Sequence, residues 1–118
     1  MLSLREADFH VADHLPIADG PLQSPQANVL SRTYVDFREQ AELALRELVE
    51  RAETHYGPVL AITHGGLLKT LLRRVVGSDT VCFRLFNTGL NMIEWRRGRW
   101  HLVHLNLWDH LPMELRTE

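Results

Sequence analysis

One segment in the middle of the chain constrains its fold more than any other: Val59-Leu60-Ala61-Ile62-Thr63-His64-Gly65-Gly66. Its first four residues are apolar without alternation, which is typical of a strand that is covered on both faces in a parallel sheet. A histidine stands at the carboxyl end of this run, and two glycines lead from it into a second apolar segment. Because such a strand needs neighbours on both sides, the segment predicts an α/β fold.

Helical periodicity flanks this predicted strand on both sides. From Thr33 onwards, apolar residues recur every three or four positions, at Tyr34, Phe37, Ala41, Ala44, Leu45, Leu48 and Ala52. Thr33 with Asp36 three residues later resembles a capping start, and Gly57-Pro58 ends the helix. A second helix is predicted over residues 67–76, with Gly77 in the position favoured for a C-terminal cap. The order is therefore helix, strand, helix.

The two ends of the chain carry different patterns. Residues 10–33 contain three prolines, whose spacing excludes a long helix or a central strand, so this part is predicted to be loop. Near the C-terminus, residues 91–95 and 100–105 are separated by a turn that contains Gly98. This arrangement predicts a β-hairpin.

Composition limits the classes of function. The 118 residues include 45% apolar and 24% charged side chains, the make-up of one ordinary domain with a core. The formal net charge of -2 offers no global basic field for nucleic acid or an anionic membrane, so any anion site has to be local. The N-terminus lacks a signal-peptide pattern and no apolar run approaches membrane-spanning length, so a cytoplasmic protein is expected. The single cysteine, Cys82, is predicted to fill part of the core.

The residue types of the middle segment predict a binding site for an anion. The carboxyl end of a strand in an open α/β sheet is where ligands bind, and the N–H groups and dipole of the following helix favour a phosphate. Glycine at positions 65 and 66 lets the backbone approach that anion closely. The His64 imidazole could hydrogen-bond phosphoryl oxygens and stabilise the charge of a transferring group. The alternative, from the residues alone, is a histidine that only caps local backbone groups.

Three stretches together resemble the histidine phosphatase (phosphoglycerate mutase-like) superfamily: Tyr34 to Arg38, Gly57 to Gly66 and Phe86 to Asn91. Gly98-Arg99-Trp100 and residues 105–111 are similar to the family's C-terminal strand and tail. The best match covers residues 34–111 of a single partial domain, 1–118, whose first 33 residues are mostly loop. The resemblance implies a partial phosphoglycerate mutase-like three-layer fold, with helices packed on a mainly parallel sheet and a C-terminal hairpin.

The resemblance also implies a mechanism. In the family, a histidine in an N-terminal Arg-His-Gly motif is phosphorylated by the substrate and then hydrolysed, while two arginines and a second histidine hold the phosphate. The second histidine corresponds to His64, with Gly65 beside it in the phosphate site. The acid that protonates the leaving oxygen corresponds to Glu6, with Asp8 as the lesser alternative; His10 occupies the position where the family has a glycine. No cofactor is expected, and no histidine pair shows metal-ligand spacing beside a carboxylate or thiolate.

The sequence departs from the family pattern at its N-terminus. These 118 residues contain no Arg-His-Gly motif and no counterpart of the second phosphate-binding arginine. With Glu6 aligned as the acid, the family's opening strand and first helices would precede Met1. The other histidines offer no evident nucleophile; they are His10, His14, His55, His101, His104 and His110. We therefore expect a truncated protein with very low turnover of its own.

The same departure affects the sheet. In the family the opening strand lies beside the strand that ends at His64, so its loss would expose an apolar edge. An exposed edge favours aggregation or pairing with another chain. Low stability or self-association through that edge is expected.

Two functions remain open from the sequence. One is a phosphohydrolase that acts on a small phosphorylated metabolite through His64 and Glu6; the other is a non-catalytic phosphate-binding or protein-interaction remnant of the same fold. The substrate is left open, and the short chain favours a phosphatase over a mutase. Basic residues that could compensate charge near a phosphate are Arg5, Arg32, Arg38, Lys69, Arg73, Arg74 and Arg84, but such residues usually form solvated surface.

Overall fold

The helical periodicity that begins near Thr33 forms one long helix, α1, over Arg32–His55. The computed structural model describes residues 5–25, 30–87 and 89–107. The other regular elements of these residues are a 3₁₀ helix, Val11–His14, a second helix, α2, over Gly65–Val76, and two strands, β1 over Leu90–Arg96 and β2 over Arg99–Leu107. The chain divides into two compact units, Met1–Cys82 with both α-helices and Phe83–Glu118 with both strands. The assignment of a single domain stays a prediction.

Helix α1 starts at a different cap from the predicted one. Ser31 precedes the helix in an extended conformation, and its Oγ accepts a hydrogen bond from the Tyr34 N–H at 3.1 Å. The predicted capping start at Thr33 and Asp36 is therefore wrong. Thr33 already lies in the first helical turn, and Asp36 instead pairs with Arg32 at 3.2 Å, one turn away on the helix surface.

Both helices end in a residue with left-handed backbone. Tyr56, with φ 53°, follows α1 immediately before Gly57-Pro58, and Gly77, with φ 75°, follows α2. The Ser78 N–H then donates to the Arg73 carbonyl oxygen at 3.0 Å, which satisfies one of the last carbonyls of α2. The predicted ends of both helices are confirmed.

The core of the first unit lies between α1 and α2. Its buried side chains are Tyr34, Phe37, Ala41 and Ala44 from α1, and Leu67, Thr70, Leu71, Leu72 and Arg73 from α2. Ala41 and Ala44 are almost completely buried, and their small size lets the two helices approach closely. At the margin of this contact, Arg74 forms a salt bridge with Glu42.

A polar cluster joins the start of α1 to the turn after α2. Asp79 accepts a hydrogen bond from the Tyr34 hydroxyl at 2.8 Å and a second one from the Arg38 guanidinium at 2.7 Å. Nearby, the buried Arg73 donates from Nε to the Val81 carbonyl oxygen at 2.8 Å. Buried polar groups are stable when they are hydrogen-bonded, so this cluster fixes the turn without leaving a polar atom unsatisfied.

The segment before α2 does not form the predicted strand. Among the described residues, the sheet is two-stranded and antiparallel, and residues 59–62 take no part in it. Val59, Leu60 and Ile62 are 37%, 78% and 86% exposed. A buried parallel strand needs strands on both sides, and the described residues supply none for this segment. The mainly parallel sheet and the three-layer arrangement are therefore not confirmed, whereas a mixed α/β structure is. Cys82, predicted to lie in the core, is exposed.

The second unit contains the predicted hairpin. β1 and β2 pair antiparallel, with Trp95 opposite Trp100, and the two rings meet edge to face with centroids 5.4 Å apart. Arg97 and Gly98 form the two-residue turn, and both have positive φ, 53° and 78°, as a type I′ turn requires. The hairpin is thus confirmed; its turn sets the register from Arg96–Arg99 to Ile93–Leu102, and irregularities on both sides of Met92 shift the pairing beyond that point.

Asparagine side chains hold the residues before β1 to the end of β2. Asn106 Oδ1 accepts a hydrogen bond from the Phe86 N–H at 2.6 Å, and Asn91 Oδ1 accepts one from the Asn106 N–H at 2.7 Å. Two of the stretches that carry the family resemblance are therefore in contact. Residues 108–111 of the resembling tail, including His110, lie outside the described residues. No helix in the described part of the chain is long and apolar enough to span a membrane.

The environment of the Tyr34 hydroxyl predicts how the free energy of unfolding changes at alkaline pH. Burial, followed by the hydrogen bond and the charge of Asp79, raises the pKa of Tyr34 from 10.0 to about 12. The folded state then binds the phenolic proton more tightly than the unfolded state, so the free energy of unfolding falls as the pH rises through this interval. We expect Tyr34→Phe to lower the free energy of unfolding by about 1–3 kcal/mol at neutral pH and to reduce its alkaline decline.

Urea denaturation at neutral pH and at about pH 11 measures both effects. Tyr56→Phe is the control, because the Tyr56 side chain is 95% exposed. An equally steep alkaline decline in Tyr34→Phe and in the unmodified chain would contradict the assignment.

Candidate functional site

The N-terminus of α2 is formed by the His-Gly-Gly motif. His64 is the extended residue before the helix, and Gly65 and Gly66 are its first two helical residues. The first intrahelical bond runs from the Leu68 N–H to the His64 carbonyl oxygen at 2.9 Å. The N–H groups of Gly65, Gly66 and Leu67 therefore have no acceptor within the helix. The His64 side chain makes no capping hydrogen bond, so an acceptor has to come from elsewhere.

Glu6 supplies an acceptor from 60 positions earlier in the chain. Its Oε2 accepts a hydrogen bond from the Gly66 N–H at 3.0 Å, and its Oε1 accepts one from the Leu67 N–H, also at 3.0 Å. A carboxylate is favoured here both by the unpaired N–H groups and by the positive end of the helix dipole. We call this contact between the Glu6 carboxylate and the N–H groups of Gly66 and Leu67 the Glu6 clasp.

Glycine at position 66 is required by the clasp. A Cβ built on Gly66 would lie 2.5 Å from Glu6 Oε1, closer than real Cβ atoms come to oxygen. A Cβ on Gly65 would meet nothing within 4 Å. The two glycines of the motif therefore differ: the second makes room for the carboxylate, and the first faces open space.

The segment around Glu6 is held against α1. Gln40 Nε2 donates to the Arg5 carbonyl oxygen at 2.7 Å, on one side of Glu6. On the other side, the Phe9 ring packs edge to face on Phe37, with ring centroids 5.6 Å apart. Helix α1 therefore positions the backbone from which the Glu6 side chain extends to α2.

Of the predicted site residues, Glu6 is hydrogen-bonded to Gly66 and Leu67, which directly follow His64 and Gly65. His64 is exposed, so its imidazole is accessible to an external ligand. Asp8, the alternative acid, is exposed and makes no hydrogen bond to α2 among the described residues. The catalytic and phosphate-binding roles of these residues stay predictions, but Glu6 is the carboxylate that lies at the His-Gly-Gly motif.

The capping role of Glu6 was not predicted from the sequence. A signal for it existed, because histidine is a poor residue before a helix, where Ser, Thr, Asp and Asn are preferred. An N-terminus capped by none of these requires an acceptor from a distant part of the chain. The sequence alone does not say which of its 15 acidic residues provides it.

The other candidate residues have different partners. Arg38 and Arg74 bind Asp79 and Glu42, so these two guanidinium groups serve the packing of α1 and α2. His10 pairs with the nearby Asp13 at 3.0 Å, with both side chains exposed. Within residues 5–25, 30–87 and 89–107, no three His, Cys, Asp or Glu side chains are grouped as a metal site would require.

The difference between the two glycines gives a stability prediction. In Gly66→Ala the new methyl group would displace Glu6, and we expect the loss of the clasp to lower the free energy of unfolding by about 1 kcal/mol, even after the gain in helix propensity. In Gly65→Ala only the gain in propensity remains, so the free energy of unfolding should rise by up to about 1 kcal/mol. Urea denaturation of both variants measures the difference. Stabilisation of equal size in both would show that the clasp is absent in solution.

The chain matches one protein family over most of its length. Comparison with curated proteins and with solved structures gave no match. A family model described as histidine phosphatase superfamily (branch 1) matches residues 4–107, which include Glu6, the His-Gly-Gly motif and the hairpin. Since this match covers most of the 118 residues, the chain belongs to the histidine phosphatase superfamily.

Proposed function

We propose that this chain provides the phosphate-binding and proton-donating part of a histidine-type phosphohydrolase, which acts on a small phosphorylated metabolite. In this proposal His64 and the Gly65 N–H bind the phosphoryl oxygens, and Glu6 protonates the leaving oxygen. The nucleophilic histidine has to come from a polypeptide segment outside these 118 residues, because they contain no Arg-His-Gly motif. The chain alone is then inactive or nearly so.

One observation carries the proposal: the Glu6 carboxylate lies at the N-terminus of the helix that begins at the His-Gly-Gly motif. The residues that correspond to the acid and the second histidine of the family, Glu6 and His64, thus lie near the same helix end, although 57 residues separate them along the chain. The N–H groups at this helix end already bind one anion, and the motif therefore has the electrostatic character that phosphate binding needs.

The proposed chemistry divides hydrolysis into two steps. The nucleophilic histidine attacks phosphorus, a nitrogen–phosphorus bond forms, the bond to the leaving oxygen breaks, and a protonated Glu6 delivers its proton to that oxygen. In the second step the Glu6 carboxylate accepts a proton from a water molecule whose oxygen attacks phosphorus, the nitrogen–phosphorus bond breaks, and inorganic phosphate and the free histidine are released. His64 and the Gly65 N–H stabilise the charge on the phosphoryl oxygens in both steps.

Phosphate binding tests this function without requiring turnover. We expect inorganic phosphate to shift the Gly65 amide signal in ¹H–¹⁵N spectra of the 118-residue chain, and His64→Ala to weaken the affinity about tenfold, the value of one charge-assisted hydrogen bond. His55→Ala is the matched control, because His55 is an exposed histidine at the end of α1. It should leave the affinity unchanged.

Hydrolysis of p-nitrophenyl phosphate by the same proteins tests the need for an external nucleophile. We expect no difference between the unmodified chain and His64→Ala. Turnover that disappears in His64→Ala would mean that another histidine or a different nucleophile of this chain does the work, and would contradict the need for an external one. Phosphate binding that His64→Ala and His55→Ala affect equally would remove His64 from the proposed site.

A second candidate function, protein interaction, rests on the exposed segment of residues 59–62. Leu60 and Ile62 are 78% and 86% exposed, and the backbone of this segment joins no sheet among the described residues. Exposed apolar segments with unpaired backbone tend to pair with another strand. The partner proposed here is a second copy of the chain, whose own residues 59–62 would pair with this segment.

Sedimentation velocity over a range of concentrations tests the second candidate. We expect the unmodified chain to associate and Leu60→Glu to shift it towards the monomer, because a buried charge opposes strand pairing. Leu22→Glu is the control, since Leu22 is also exposed, at 98%, but lies in the N-terminal loop. A monomeric chain at all concentrations, or equal effects of both substitutions, would exclude residues 59–62 as the interface.

A further inference from the structure

The Glu6 clasp occupies two of the N–H groups that an incoming oxyanion would use. Its two oxygens lie 3.0 Å from the backbone nitrogens of Gly66 and Leu67, within ordinary hydrogen-bond distance. The same carboxylate also accepts a hydrogen bond from the Ala7 N–H at 2.8 Å, so its position is fixed from both sides. The helix end is in this state already bound to an anion, which belongs to the chain itself.

The carboxylate and a phosphate cannot both bind these two N–H groups. The space above Gly66 is filled by the carboxylate so closely that even a methyl group would lie 2.5 Å from Oε1. A phosphoryl oxygen bound to the Gly66 N–H would therefore have to displace Glu6. Repulsion between the negative carboxylate and a negative phosphate also weakens phosphate binding while Glu6 is in place.

The Gly65 N–H and the His64 side chain are outside the clasp. His64 is exposed, Gly65 is half-buried with nothing within 4 Å of the position of a Cβ, and neither residue takes part in the clasp. A phosphate can therefore approach through these two groups first. Access to the Gly66 and Leu67 N–H groups follows only when Glu6 moves away.

We propose that Glu6 is an internal competitor for the phosphate site at the N-terminus of α2, and that phosphate binds fully only when the Glu6 clasp opens. This inference rests on the proposed phosphate site at His64 and Gly65 and adds a regulation of that site. It also joins two roles in one residue, since Glu6 has to leave the clasp in order to reach a leaving oxygen. The closed clasp is the resting, low-affinity state.

Competition changes the apparent affinity by a measurable factor. When a site is available for only a fraction of the time, the apparent dissociation constant increases by the inverse of that fraction. A clasp that is closed about four-fifths of the time weakens phosphate binding about fivefold. A variant that cannot hold the clasp should therefore bind phosphate about fivefold more tightly than the unmodified chain.

The experiment is a titration of the 118-residue chain with inorganic phosphate, followed by the amide signals of residues 65–67 in ¹H–¹⁵N spectra. Glu6→Gln keeps the size of the side chain, removes its charge and retains a single acceptor oxygen. We expect this variant to bind phosphate about fivefold more tightly and, before phosphate is added, to show upfield shifts of the Gly66 and Leu67 amide protons. Glu39→Gln is the matched control, because it removes the same charge from an exposed position of α1 and should leave the affinity unchanged.

The outcomes separate this inference from the proposed function. Equal or weaker phosphate binding by Glu6→Gln, in a titration where the unmodified chain binds, would overturn the competition and leave the phosphate site intact. The absence of any phosphate-dependent shift in all three proteins would overturn the phosphate site, and the competition with it. Should Glu6→Gln fail to fold, Glu6→Asp decides: its shorter side chain keeps the charge but cannot span both N–H groups, so tighter binding is again expected, and unchanged binding would contradict the proposal.

Discussion

The hydrogen bonds between the Glu6 carboxylate and the first turn of α2 determine the properties of this helix end. Without them, two buried or half-buried N–H groups would have no acceptor, since the residue before the helix is a histidine that does not cap it. The contact in turn depends on α1, which holds the backbone on either side of Glu6 through Gln40 and Phe37. The arrangement of Met1–Cys82 therefore connects three parts of the chain at one point: the N-terminal segment, α1 and the His-Gly-Gly turn.

The features that the sequence predicted correctly depend on neighbouring residues. Helix α1 follows from the spacing of Tyr34, Phe37, Ala41 and Ala44, whose side chains fall on one face at 3.6 residues per turn. The end of α2 follows from Gly77, because glycine adopts the left-handed backbone at low cost. The hairpin follows from a two-residue turn between apolar and aromatic runs. In each case the deciding interaction joins residues that are only a few positions apart. The local sequence pattern is therefore enough to predict it.

The features that the sequence did not predict depend on distant or alternative partners. Residues 59–62 have the composition of a buried strand, but composition does not provide the neighbouring strands, and Leu60 is exposed. Ser31 and Thr33 offer similar hydroxyl groups, and only the conformation of the loop before α1 decides which one caps it. The resemblance identified Glu6 as an acid but contained no information on its acceptor role at α2. For the site, the functional roles of Glu6 and His64 therefore stay predictions from the sequence, and the structure adds the contact of Glu6 with the first turn of α2.

The separation between Glu6 and α2 also has a consequence for how the molecule folds. Contacts in the hairpin join residues that are close in sequence, whereas the Glu6 contact joins positions 60 residues apart. Closing so long a loop costs conformational entropy, which packing of the intervening helix has to offset before the contact becomes favourable. We therefore expect the helices and the hairpin to form before the cap at the N-terminus of α2. The N-terminus of α2 is capped only in a molecule whose N-terminal segment has docked, so the N–H groups of Gly66 and Leu67 would report on the completion of folding.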